Sequence, residues 1–88
     1  MTKSELAIIL GVDKKALVNL TMLDASGSSG ITDDGLRHVP KLTTLNAASN
    51  PRITDAGLRH LPKLTTLDAS GNSGITDAGR KLIAERTK

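Results

Sequence analysis

At 88 residues and 9.2 kDa the chain has room for one small domain and no second core. It contains no Phe, Trp, Tyr or Cys, which excludes aromatic base-stacking platforms, disulfide frameworks, thiol catalysis and cysteine zinc sites. A net charge of +3 makes phosphate contact worth testing, whereas no apolar run approaches the roughly 20 residues of a membrane span and no signal-peptide pattern opens the chain.

In chain order, residues 2–10 read as a helix with Leu6, Ile9 and Leu10 on one side. Residues 12–19 follow as the rest of an N-terminal cap. From Leu20 the chain repeats itself every 22 residues, with Leu42 and Leu64 opening the second and third copies. Apolar columns stay in register: Leu23, Leu45 and Leu67; Ala25, Ala47 and Ala69; Ile31, Ile53 and Ile75. The alternation around each Leu-x-Ala predicts short strands near residues 22–25, 44–47 and 66–69. A Gly/Ser/Asn stretch then turns the chain in each copy.

Each turn runs into Ile-Thr-Asp. Thr32, Thr54 and Thr76 stand where helix N-caps belong, and Asp33, Asp55 and Asp77 follow where a carboxylate suits the helix dipole. Leu36 with Val39, and Leu58 with Leu61, are i, i+3 pairs that predict short helices stopped by Pro40 and Pro62. The last helix is expected to lengthen over residues 76–86, with Ile83 in the core and Arg80 where the earlier copies have leucine. One unit is strand, turn and short helix. It cannot bury its apolar side alone, so neighbours must stack.

These residues resemble the leucine-rich repeat family. Its LxxLxLxxNxL core is matched by Leu20-x-x-Leu23-x-Ala25, then Leu42-x-x-Leu45-x-Ala47-x-x-Asn50, then Leu64-x-x-Leu67-x-Ala69-x-x-Asn72. The Ile-Thr-Asp-x-Gly-Leu run looks like the cysteine-containing subtype. Three departures stand out: alanine at the third leucine, Ser28 at the first asparagine, and no cysteine. The resemblance implies an α/β fold, a short right-handed solenoid. Three parallel strands would line its concave side and helices its convex side, behind a helical N-terminal cap. The expected organisation is a single domain over 1–88, divided into the cap 1–19 and repeats 20–41, 42–63 and 64–88.

Family members mostly bind proteins through the concave face. Here that face would carry Met22, Asp24, Ser26, Thr44, Asn46, Thr66, Asp68 and Ser70, small polar positions that equally suit a solvated sheet. The edge residues Thr66, Leu67, Asp68 and Ala69 end the sheet, and an open edge invites another strand, so a homodimer joined there is expected. The helix side carries Arg37, Arg59 and Lys81, but cations at helix C-termini are ordinary and no aromatics accompany them. His38 and His60 share a column whose third member is Leu82, too few ligands for a closed zinc site.

Residues 70–74 lack the lysine of a phosphate loop, and no nucleophile elbow occurs. The reading is a non-catalytic interaction or self-assembly module. It has no cofactor or metal and a cytoplasmic setting, and binds another copy or another protein rather than nucleic acid or membrane. The alternative is a small DNA-binding protein, because residues 4–17 resemble the first helix and turn of a helix-turn-helix. Near-identical repeats without aromatics also suit an engineered chain or a fragment of a longer solenoid.

Overall fold

The leucine and alanine columns take their place because each strand is three residues long and lies beside its equivalent 22 residues away. In the computed structural model, which describes residues 2–27 and 30–86, β1 is Met22–Asp24, β2 is Thr44–Asn46 and β3 is Thr66–Asp68. They form one parallel sheet in the order β1-β2-β3, with Leu23 against Leu45 and Leu45 against Leu67. The strands stop one residue short of the expected ends, and the alanines after them are buried.

Four α-helices complete the elements among the described residues: α1 (Lys3–Leu10), α2 (Asp33–Leu36), α3 (Asp55–Leu58) and α4 (Asp77–Glu85). α1 starts with a capping box, the Thr2 hydroxyl accepting from the Glu5 amide while the Glu5 carboxylate accepts from the Thr2 amide. It ends at Gly11, whose φ of 69° is left-handed and suits glycine. A 3-10 segment, Lys14–Asn19, leads to β1 and buries Leu17.

α2 and α3 are shorter than their leucine spacing suggests. Val39 and Leu61 lie beyond them, yet both are fully buried. The chain leaves each helix through successive three-residue turns, Val39 N–H to Leu36 C=O and Leu42 N–H to Val39 C=O, both 3.2 Å, and the same from Leu58 to Leu64. A three-residue period keeps every third side chain on one side, so Leu36, Val39 and Leu42 all enter the core. Pro40 and Pro62 therefore sit inside the second of these turns rather than ending a helix.

The core is one continuous cluster running from Leu6 and Ala7 of α1 to Ile83 of α4. Beside it, among the described residues, the polar side chains of Asn50 and Asn72 are buried, 2% and 3% exposed. The Asn50 amide donates to the carbonyls of Ala25 (2.7 Å) and Ile31 (2.9 Å) in the preceding repeat. Asn72 does the same to Ala47 (2.8 Å) and Asn50 (2.7 Å). Carbonyls inside the turns are thereby satisfied where water cannot reach. Ser28, which takes this place in the first copy, lies outside the described residues.

Candidate functional site

The sheet has one face inward and one outward. Parallel register places Met22, Thr44 and Thr66 in one outward row and Asp24, Asn46 and Asp68 in the next. Met22 is 67% exposed, and a shallow groove of about 260 Å³ runs between Met22, Leu23, Asp24, Thr44 and Asn46. Ser26 and Ser70 lie just past the strand ends.

The second row has a local task. Asp24 Oδ1 accepts from the Ser26 amide (3.1 Å) and hydroxyl (2.7 Å). Asn46 Oδ1 accepts from the Ala48 amide and Asp68 Oδ1 from the Ser70 amide, each at 3.0 Å. These contacts begin the turn after each strand. The Ser26 hydroxyl, then its amide, holds the Asp24 carboxyl below its ordinary range. At Asp68 the Ser70 amide leads and its hydroxyl follows, in the same direction. One carboxylate oxygen of each is thus committed to the backbone, which leaves the face a hydrogen-bonding surface of small groups.

A second set of carboxylates acts between repeats. Asp33 Oδ1 accepts from the Thr54 amide (2.7 Å) and its Oδ2 from the Thr54 hydroxyl; Asp55 serves the Thr76 amide (2.9 Å) and hydroxyl in the same way. Their main partner is therefore a residue 21 positions on, whereas only Thr54 uses its own hydroxyl as a helix cap, on Ala56 N–H (3.3 Å). The glycines of the motif leave the space: a Cβ at Gly57 would come within 2.2 Å of Asp33 Oδ1, and at Gly79 within 2.1 Å of Asp55 Oδ1.

In the third repeat two arginines bond backbone carbonyls. Arg80 Nη2 donates to the Ala69 carbonyl at 3.0 Å, the place taken by asparagine amides at Ala25 and Ala47. Arg86 Nη1 donates to the carbonyls of Leu61 (2.7 Å) and Leu64 (3.0 Å). The Asp77 side chain is fully exposed, 3.7 Å from Arg80. Beside β3 a cleft of about 230 Å³ is lined by Thr65, Leu67, Ala69, Arg80, Ile83 and Ala84.

The basic column of the helix side is partly neutralised, Arg37 by Asp34 at 3.0 Å and Lys81 by Glu85 at 4.0 Å. After α1 the chain forms the 3-10 segment and then β1, so no second α-helix stands where a recognition helix would be needed. Among the described residues no three His, Asp or Glu side chains gather as metal ligands, and no helix is long and apolar enough to cross a membrane.

Residues 40–81 match the family profile described as leucine rich repeats in two copies. No characterised protein and no solved structure matches the chain. The matched stretch holds β2, β3, both buried asparagines and the Asp55–Thr76 pair; over these residues the chain is similar to the leucine-rich repeat family.

Proposed function

We propose that this chain is a non-catalytic protein-interaction module, a short right-handed solenoid made of a cap (1–19) and three repeats (20–41, 42–63, 64–88). Leucine-rich repeats generally mediate protein interaction, and parallel strands joined by crossovers take the right-handed path in nearly all proteins. The observation that carries the reading is the outward sheet face, where Met22, Thr44 and Thr66 stand in register above Asp24, Asn46 and Asp68. Ser26 and Ser70 extend it. Its contacts are hydrogen bonds and one exposed thioether, which suit a polypeptide surface.

The edge of β3 favours a second copy as partner. Thr66, Asp68 and Ser70 turn their peptide groups toward the neighbouring strand, as the bonds Thr66 N–H to Thr43 C=O and Ala47 N–H to Asp68 C=O show. Leu67 and Ala69 alternate with them and turn theirs outward, whereas the Thr65 amide also donates to Thr43 C=O at 3.0 Å. Arg80 and the Asn72 amide take the Ala69 carbonyl, leaving Leu67 to pair with another strand. Sedimentation across a concentration series, read with amide chemical shifts, tests this. A dimer whose formation moves Leu67 and Ala69 supports edge pairing. A 9.2 kDa monomer at high micromolar concentration removes self-association.

A further inference from the structure

Away from the sheet face, the N-terminal cap holds a groove of about 440 Å³ between the start of α1 and the 3-10 segment, lined by Lys3, Lys14, Lys15 and Val18. We propose that this groove docks an acidic peptide segment of another protein, one apolar side chain seated on Val18 and flanking carboxylates held by the three lysines. The proposal rests on the reading of the chain as an interaction module but uses a different surface.

The chemistry of the groove points to that occupant. Val18 is 39% exposed and supplies an apolar contact within the groove. Lysine stems are apolar and their ammonium heads are not, so three of them around a valine make a greasy floor with a cationic rim. None of Lys3, Lys14 and Lys15 has an ion-pair partner among the described residues. The nearby acids are already engaged: the Glu5 carboxylate accepts from the Thr2 amide at 3.2 Å and Asp13 Oδ1 from the Lys15 amide at 3.1 Å. Lys41 adds a further ammonium one residue past Val18, bonded to Asn19 Oδ1 at 3.2 Å.

The volume falls in the range of small ligand sites. It suits one large aliphatic side chain with its neighbours, and the rim supplies charge complementarity. An anionic bilayer fits less well. A flat lipid surface does not enter a recess. The most exposed aliphatic side chain of the cap, Ile8 at 79%, lies five residues after Lys3, roughly 140° around the helix from it, so it does not insert alongside these lysines.

The test uses the full chain and a fluorescein-labelled peptide with a leucine flanked by glutamates. Matched peptides carry glutamine for glutamate, or serine for leucine, and anionic phosphatidylserine vesicles are run in parallel. Saturable binding is expected, weakened about tenfold or more by Lys14→Glu with Lys15→Glu, by Val18→Ser, and by either peptide change, and falling with added salt. The lysine substitutions are on exposed side chains, so unchanged thermal melts will show that the fold is kept. Thr44→Arg with Thr66→Arg on the sheet face is the control and should leave peptide binding unchanged.

No binding at millimolar peptide, binding indifferent to the lysine pair, or binding to vesicles alone would each overturn the groove. Peptide binding lost only with the sheet-face control would overturn the groove while supporting the interaction-module reading. Dimer formation at the β3 edge is independent of both.

Discussion

The middle repeat and the last repeat share their strand leucines and the Ile-Thr-Asp-Ala-Gly run but differ in what these residues do. In the middle repeat every connection is made on both sides. Leu45 is held between Leu23 and Leu67 and is 1% exposed; Asn50 reaches back to Ala25 and Ile31 while its own carbonyl serves Asn72. In the last repeat the same columns face only backward. Leu67 is half-buried, the exposed Asp77 side chain lies 3.7 Å from Arg80, and Arg80 bonds the Ala69 carbonyl where Asn50 and Asn72 bond those of Ala25 and Ala47. A repeat residue's contribution is therefore set by its neighbours as much as by its identity. At an end, a long side chain that keeps its charge in water replaces a short buried amide.

The largest expected contrast is in the core. Leu45→Ala should cost about 2–5 kcal/mol, as a truncation enclosed on both sides. Leu67→Ala should cost less than half as much, because its site is already partly open to solvent. Denaturant melts of the two variants measure this, and equal losses would break the distinction between middle and end. An intermediate effect is expected for the carbonyl-binding side chains. Asn72→Ala removes its amide bonds to the carbonyls of Ala47 and Asn50 and takes the acceptor from the Gly74 and Ile75 amides, at about 1–3 kcal/mol per unsatisfied group. Arg80→Ala leaves Ala69 C=O its bond from the Asn72 amide and access to water, and should cost about 1 kcal/mol or less. A larger loss from the arginine would mean that the end is held as tightly as the interior.

The smallest effect concerns pH. The first and last repeats begin their turns with Asp24 and Asp68, whereas the middle one uses Asn46, which does not titrate. Both carboxyls are held below the ordinary value of about 3.9 by hydrogen bonds present only in the fold. A lowered folded value stabilises the fold above the unfolded value, and that contribution is lost as pH falls through the folded one. Carboxyl NMR titration should give midpoints below 3.9 for Asp24 and Asp68, with the Ala48 turn unchanged over the same range. Midpoints at or above the ordinary value would remove the difference.

Much of the architecture is legible in the 22-residue register. Leu23, Leu45 and Leu67 fall on paired strands because a period-two pattern repeated in phase leaves little freedom in register. The helix lengths were not legible. Leu36, Val39 and Leu42 are spaced by three, which fits a short α-helix and a run of three-residue turns equally well, and the turns are what form. The partner of Asp33 was also hidden, since a window sized for one helix cannot see Thr54. A signal was present all the same. Glycine recurs inside each short helix at positions 35, 57 and 79, where it weakens a helix by about 0.5–1 kcal/mol. A cost repeated in each copy points to something that needs the room. The turn-forming role of Asp24, Asn46 and Asp68 was not legible, because an Asx turn and a ligand contact use the same side chains.

The asparagine and aspartate ladders also determine how this chain reaches its structure. Their bonds join residues 19 to 25 apart in sequence, and each joins only adjoining units. No loop longer than about one repeat has to close before such a bond rewards it, so the entropic barrier at each step stays nearly the same along the chain. Structure can nucleate at either of the two interfaces between repeats and extend in both directions, with no encounter between distant ends. The same wiring makes the molecule unravel from its termini inward, and it makes the middle repeat, which is part of both interfaces, the last to let go.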